Sequence, residues 1–203
     1  MTTRIIMSFA MAEGGMMFVQ WLRNRLMQHY GLFSTNSVYV DFVSARAGDA
    51  YYGVTPEAPL PHYATVKADL REHMRSATQA IPIGAMHPDW KEMFTKAMNE
   101  ADVVLFILTK AFMASQWCLQ ELDGFKLVLE KRPGVKGIIL DLEGIGFDPA
   151  QKGLPTANIT LVQAGKELSQ GGILWDRGLW KISDRDFDSL IRAIGEHGEW
   201  REG

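Results

Sequence analysis

A tryptophan and a glutamate, Trp117 and Glu121, are the side chains of this sequence best placed to do chemistry. They follow a continuous apolar run, Val103 to Leu108, which is typical of a parallel strand covered on both faces. Ser115 is a predicted helix N-cap, and residues four apart on the helix share a face. That face lies beside the buried side of the helix, between core and solvent. A carboxylate next to an indole, just beyond the carboxyl end of a strand, is a candidate ligand site.

The same helix carries an apolar stripe that predicts how it packs on the sheet. The stripe consists of Cys118, Leu122, Phe125 and Leu129. Cys118 is the one cysteine of the chain, so an intrachain disulfide is excluded and a reducing compartment suits the protein. Because Cys118 lies on this stripe, we predict a buried structural thiol rather than a nucleophile.

This segment resembles the Ser-x-Trp-Cys-x-x-Glu-Leu box of TIR domains. The box reads here as Ser115, Trp117, Cys118, Glu121 and Leu122. In enzymatic members of that family the glutamate of the box cleaves NAD, so the resemblance implies that Glu121 is the catalytic residue. On spacing alone, Trp117 would be a core residue and Glu121 a surface residue of the helix. The resemblance to the box favours the interpretation that Trp117 and Glu121 form a ligand site.

The resemblance extends to the first two predicted strands. Ile-Ile-Met-Ser-Phe is similar to the first box of the family, and Val-Tyr-Val-Asp-Phe to its second strand. Ala10-Met11-Ala12 replaces the acidic and basic residues that often follow the Ser-Phe pair. The predicted substrate-binding residues are Ser8, Phe9, Ala10, Asp41, Ser115 and Trp117. Trp117 would stack on nicotinamide or adenine, Phe9 would offer a second apolar wall, and Asp41 would orient a ribose or a loop.

Strand and helix patterns alternate along the chain and predict an α/β fold. The predicted strands are 4–10, 37–44, 103–108, 135–142 and 158–162, and the predicted helices are 16–30, 89–100, the helix that Ser115 caps and a last helix after Ser183. We expect a flavodoxin-like open parallel sheet of about five strands, in the order 2-1-3-4-5, with helices on both faces. In such a sheet ligands bind outside the carboxyl ends of strands 1 and 3. These ends are 8–10 and 108–110, and the first turns of the helix bearing Glu121 are expected to line the crevice there. Asp141 and Glu143 close the fourth strand near the same edge and are read as solvated rather than as ligand contacts.

The whole chain, 1–203, is predicted to be a single TIR-like domain with an enlarged insertion at about 45–88. The insertion holds five of the eight prolines of the chain and a predicted amphipathic helix over 65–78. It is either a surface segment that packs locally, or the enlarged form of the loop that gates the pocket or joins protomers in relatives.

Composition and missing motifs narrow the class of protein. The net charge is −3 with basic residues scattered, which argues against a nucleic-acid partner. No apolar run approaches the roughly 20 residues of a membrane helix, and we expect a cytoplasmic protein without a membrane partner. The chain has no phosphate-binding glycine loop, no Gly-x-Ser-x-Gly elbow and no histidine or cysteine spacing of a metal site. We therefore expect no metal and no cofactor, with NAD+ as substrate.

The resemblance implies an NAD+ glycohydrolase or ADP-ribosyl cyclase, which gives ADP-ribose or a cyclic ADP-ribose signal. In size and organisation the chain is similar to the stand-alone TIR proteins of bacterial Thoeris-type antiphage systems. Self-association through TIR–TIR contacts and a downstream effector that senses the product are the implied partners. Two alternatives stay open: a TIR domain that serves only as an association module, and a nucleoside deoxyribosyltransferase-like enzyme with a glutamate acting on a glycosidic bond.

Overall fold

The computed structural model of the chain describes residues 3–12, 14–32, 37–41, 90–168 and 180–200. The predicted insertion at 45–88, with its helix over 65–78, lies outside these ranges. The described strands are β1 Ile5–Ser8, β2 Val38–Tyr39, β3 Val103–Leu108, β4 Lys136–Asp141, β5 Ile159–Gln163, β6 Glu167–Leu168 and β7 Trp180–Lys181. The described α-helices are α1 Gly15–Tyr30, α2 Trp90–Glu100, α3 Lys110–Ala114, α4 Gln116–Lys131 and α5 Asp184–Ile194.

The main sheet has five parallel strands in the order β2-β1-β3-β4-β5, as predicted. In the register of the sheet, Ile5 is opposite Val38, Leu108 is opposite Asp141, and Gly137 is opposite Ile159. β1 and β3 are neighbours although β2 lies between them in sequence, so the strand order reverses there. This confirms the fold class, an open α/β sheet of the flavodoxin type, and the switch point between strands 1 and 3.

The residues fall into two compact units when they are grouped by which of them lie close together in space. The first comprises Met1–Ile6, Val19–Ala101 and His197–Gly203, and the second comprises Met7–Phe18 and Asp102–Glu196. Within the first unit, Arg23 Nε donates a hydrogen bond of 2.9 Å to the Val38 carbonyl. In the same unit the rings of Tyr30 and Trp200 meet edge-on at 5.2 Å. The single-domain organisation stays a prediction.

The second unit is built around α4, whose predicted apolar stripe is confirmed. Cys118, Leu122, Phe125 and Leu129 are all 5% exposed or less, and the thiol of Cys118 is buried, as predicted, and forms no disulfide. The Phe125 ring meets Phe106 of β3 edge-on at 5.4 Å. A Cβ on Gly137 of β4 would fall 2.6 Å from the Phe125 ring, so only glycine lets the ring lie this close to the strand.

The helix ends follow the predicted sequence signals. Ser115 caps α4, since its hydroxyl accepts a hydrogen bond from the Cys118 amide, and Ser183 caps α5 through the Asp186 amide. Gly31 closes α1 with a φ of 65°, in the left-handed region that glycine tolerates best.

Three features differ from the sequence prediction. Within the described residues 37–41, β2 covers Val38–Tyr39, and Asp41, expected inside that strand, has a helical backbone instead. The rest of the predicted strand, 42–44, lies outside the described residues. The short helix α3 intervenes between β3 and α4, with Thr109 as its N-cap. Five residues are too few for an apolar period to appear, so the pattern could not reveal it. β6 and β7 pair antiparallel outside the main sheet.

In the described ranges no helix has the length and apolar character needed to cross a membrane.

Candidate functional site

Glu121 lies on the second turn of α4, where its partly buried side chain reaches the end of β1. Its Oε2 accepts a hydrogen bond of 2.5 Å from the Ser8 hydroxyl, 113 residues away in sequence. Ser8 is the last residue of β1 and is only 1% exposed. The Ser8 hydroxyl is therefore buried and bonded to the Glu121 carboxylate, and its contact with a substrate stays a prediction.

The surroundings of Glu121 favour the neutral form of its carboxyl group. Burial raises its pKa from an ordinary value of 4.5 to about 7, against the opposite effect of the Ser8 hydrogen bond. Near neutral pH the protonated form of this group is therefore far more populated than it is for an exposed glutamate. A group with a pKa close to the working pH is suited to accept and release a proton during a reaction.

Trp117, one turn before Glu121, presents its indole to the outside of α4. It is 50% exposed, whereas the adjacent Cys118 is 3% exposed. The reading of Trp117 as a core residue is thus wrong. A single exposed aromatic residue is common on protein surfaces, so its interest comes from its position one turn from a carboxyl group with a raised pKa.

Ser115, another predicted substrate contact, is occupied as a helix cap. Its Oγ lies 3.3 Å from the Cys118 amide nitrogen and accepts that hydrogen bond. The hydroxyl thereby fixes the first turn of α4 and, through the helix backbone, the direction of Trp117 and Glu121.

A small crevice opens at the carboxyl edge of β1 and β3, where the topology predicts a ligand. It has about 250 Å³ of empty space, part of it open to solvent. Its lining consists of Phe9, Ala10, Ala12, Gly15, Ile107, Thr109 and Lys166. Phe9 and Ala10, two of the predicted substrate-binding residues, belong to this lining, and their role in binding stays a prediction. The first turns of α4 do not contribute to this lining, so Glu121 approaches the end of β1 through Ser8 instead.

The strand-end carboxylate Asp141, which we read as solvated, is fully buried instead. Its exposure is 0%. Its oxygens accept hydrogen bonds from the amides of Glu143 and Ile145 at 3.1 Å. They also accept bonds from the amide of Gly146 and the side chain of Gln163 at 3.3 Å. Four donors converge on one carboxylate, so Asp141 organises the turn after β4.

Glu143, two residues further, joins this turn to two other segments. Its carboxylate accepts a 2.5 Å hydrogen bond from the backbone amide of Lys110 and pairs with the Lys166 ammonium. Burial alone would raise the pKa of Glu143, but the bonds from Lys166 and Lys110 outweigh it and the pKa is lowered. Glu143 is therefore a paired anion at the edge of the crevice.

The prediction from sequence and the structure differ most at Asp41, which was predicted to bind the substrate, and at Lys166, which was not predicted to belong to the site. Asp41 belongs to the first unit, where it is 7% exposed. Lys166 lines the crevice but was missed, because it lies in a segment without periodicity. Its position three residues after β5 is a usable signal, since the carboxyl ends of parallel strands share one edge of the sheet.

Comparisons with protein-family models, with curated proteins and with solved structures find no significant match for this chain. The likeness to TIR domains therefore rests on the boxes read from its own sequence.

Proposed function

We propose that this protein is an NAD+ glycohydrolase or ADP-ribosyl cyclase of the TIR type, with Glu121 as its catalytic residue. One observation carries the proposal: a partly buried carboxyl group, with a pKa raised to about 7, lies beside the end of β1 next to the switch point of a parallel sheet. The box from Ser115 to Leu122 supports the choice of NAD+ as substrate.

The reaction breaks the bond between C1′ of the ribose and the nicotinamide nitrogen. The bonding electron pair leaves with nicotinamide, which departs neutral, and positive charge develops on the ribose as an oxocarbenium-like state. The Glu121 carboxylate stabilises this charge. A water molecule then bonds to C1′ and gives its proton to Glu121, which yields ADP-ribose. If a hydroxyl or an adenine nitrogen of the same molecule attacks instead, the product is cyclic.

The raised pKa of Glu121 suits both parts of this sequence. The cationic nicotinamide ribose lowers the pKa of a carboxyl group beside it, so substrate binding favours the ionised form that the first step needs. Once the cation has been consumed the pKa returns toward 7, which favours taking the proton from water. The Ser8 hydroxyl fixes one carboxylate oxygen and leaves the other for the ribose.

Further walls are needed to hold a whole dinucleotide. The crevice has room for little more than a water-sized group, so it cannot enclose a dinucleotide by itself. We propose that self-association completes the pocket, with Trp117 stacking on a base and Phe9 forming a second wall. Asp41 keeps its proposed role of orienting a ribose or a loop. The setting we propose is the cytoplasm of a bacterium, with the product read by a downstream effector in antiphage defence.

The test is an assay of concentrated protein with NAD+, in which nicotinamide and the linear and cyclic products are separated by chromatography. Glu121→Gln removes the charge with little change of shape, and Glu130→Gln on the same helix is the matched control, because Glu130 is exposed. We expect nicotinamide release by the parent protein and by Glu130→Gln, and at least about a 100-fold lower rate for Glu121→Gln.

Other outcomes identify the two alternatives. Turnover of deoxynucleosides with NAD+ left intact would identify a deoxyribosyltransferase-like enzyme. Absence of any turnover, together with association that survives Glu121→Gln, would identify an association module.

A further inference from the structure

β5 is the last strand of the main sheet, and its outer edge carries backbone groups that the described residues leave unused. The Ala164 amide donates a hydrogen bond of 2.9 Å to the Asp141 carbonyl of β4. Peptide groups two residues apart in a strand turn to the same side, so the even-numbered positions of β5 face β4, and Leu161 and Gln163 face outward. Neither of these two amides donates a hydrogen bond within the described part of the chain.

This edge lacks the features that usually keep exposed sheet edges apart. Native proteins protect such strands with charged side chains, prolines or bulges. The sequence has no charged residue between Lys152 and Lys166, and β5 itself contains no proline. The register of β5 with β4 runs without a bulge from Ile159 to Gln163. The side chain of Leu161 in the middle of the strand is 39% exposed. The edge is therefore a ready template for pairing with another strand.

A second copy of the same strand meets the hydrogen-bonding requirements of this edge. Two copies related by a two-fold axis at Leu161 run antiparallel, and each Leu161 exchanges both of its backbone bonds with its counterpart. The Gln163 amide of each copy then meets the Ile159 carbonyl of the other. The Ile159 amide is already bonded to the Thr156 carbonyl, so the pairing gains about four hydrogen bonds.

The side chains of β5 also suit this arrangement. Ile159 lies on the α4 face of the sheet, because a Cβ on Gly137 would meet both the Ile159 side chain and the Phe125 ring. Leu161, two residues further, shares this face. In the two-fold arrangement the two Leu161 side chains lie directly opposite each other and form an apolar cross-strand pair. Since the segment carries no charge, its own copy brings no like charges into contact.

We propose that the outer edge of β5 binds a second copy of this chain, with the two strands antiparallel and Leu161 at the two-fold axis. The contact is separate from the association proposed for the pocket, because β5 lies beyond β4, at the end of the sheet away from β1 and β3. It also does not depend on cleavage of NAD+. A strand of five residues buries little surface, so the dimer is weak and reversible.

Sedimentation velocity of the full chain, from about 10 μM to about 1 mM, measures the dissociation constant of this dimer. Leu161→Lys brings two like charges together at the axis and should raise the dissociation constant at least about tenfold. Leu127→Lys is the matched control, because Leu127 is an exposed leucine of α4, and it should leave the dissociation constant unchanged. Both variants should keep the circular dichroism of the parent, since each side chain lies at the surface.

Mixing two variants tests the two-fold arrangement itself. Leu161→Glu alone should be as monomeric as Leu161→Lys. An equimolar mixture of the two should form a dimer again, because opposite charges then face each other at the axis. A parent protein that stays monomeric at about 1 mM, a dimer that survives Leu161→Lys, or a mixture that does not associate would each overturn the proposal.

Hydrogen exchange of the parent protein tests the same contact without any substitution. The amides of Leu161 and Gln163 should exchange more slowly at high protein concentration, where the dimer forms. The amides of Thr160 and Val162 face β4, so their exchange should be equally slow at low and high concentration. A dimeric protein in which the Leu161 and Gln163 amides exchange at the rate of the monomer would show that the contact lies elsewhere, and the proposal would be wrong.

Discussion

Two carboxylates near the same edge of the sheet, Asp141 and Glu121, have opposite surroundings. Asp141 is fully buried and accepts four hydrogen bonds from the turn after β4 and from Gln163. Glu121 is partly buried and, among the described residues, accepts one, from Ser8. Asp141 has every oxygen occupied, which is the state of a structural anion. Glu121 keeps acceptor capacity unused while burial raises its pKa to about 7. The difference teaches that burial of a carboxylate marks a reactive group only where hydrogen bonds do not compensate for it.

The largest expected effect is on activity, when Glu121 is replaced by glutamine. The amide is neutral and cannot stabilise a ribose cation, so nicotinamide release should fall at least about 100-fold. The melting temperature should stay equal to that of the parent or rise, because a partly desolvated charge has been removed. A rate within about twofold of the parent would contradict the catalytic role of Glu121, and the proposed difference in reactivity between Glu121 and Asp141 would be wrong.

The same change of carboxylate to amide at Asp141 should act on stability instead. In Asp141→Asn one oxygen becomes an NH2 group, which faces two N–H donors and cannot accept from them. We expect a loss of about 2–4 kcal/mol in the free energy of unfolding, measured with urea, because buried donors are left unsatisfied. The folded fraction should keep its kcat. A loss below about 0.5 kcal/mol would show that the turn after β4 is held by other contacts.

Stability should depend on pH through Glu121. Its pKa is raised from 4.5 to about 7 in the folded protein, so folding retains a proton that the unfolded chain releases between these values. The stabilisation is complete below pH 4.5 and is lost as the pH rises through 7. At about 1.4 kcal/mol for each pKa unit between 4.5 and about 7, the loss is at most about 3.5 kcal/mol. The contribution of Glu121 is isolated by measuring the free energy of unfolding in urea for the parent and for Glu121→Gln at several pH values from 4 to 8. A difference that does not change over this range would contradict the raised pKa.

The sequence predicted more of the scaffold than of the site, and particular residues show why. The apolar run Val103–Leu108 and the stripe from Cys118 to Leu129 each recur with a fixed period, so their elements and burial followed directly. Asp141 and Glu143 follow a strand in the way that solvated residues at strand ends commonly do. No local sequence signal shows that the amides of the following turn donate to the Asp141 carboxylate. The Ser8–Glu121 bond joins residues 113 positions apart, so it depends on strand order rather than spacing. Lys166 lies outside any periodic segment, and only the shared edge of the strands brings it to the crevice.

The smallest effects should come from removing one hydrogen-bond donor from each carboxylate. Ser8→Ala takes the described donor from Glu121, so the pKa of Glu121 should rise further and the acidic limb of the activity profile should shift to higher pH. Gln163→Met takes one of four donors from Asp141, and the other three remain. Each variant should change the free energy of unfolding by about 1 kcal/mol or less, yet only Ser8→Ala should move the pH profile of nicotinamide release. Ser8→Thr keeps the hydroxyl and should restore the parent profile. Equal profiles for Ser8→Ala and the parent would mean that the Ser8 hydroxyl does not tune Glu121, and the contrast between the two carboxylates would then rest on burial alone.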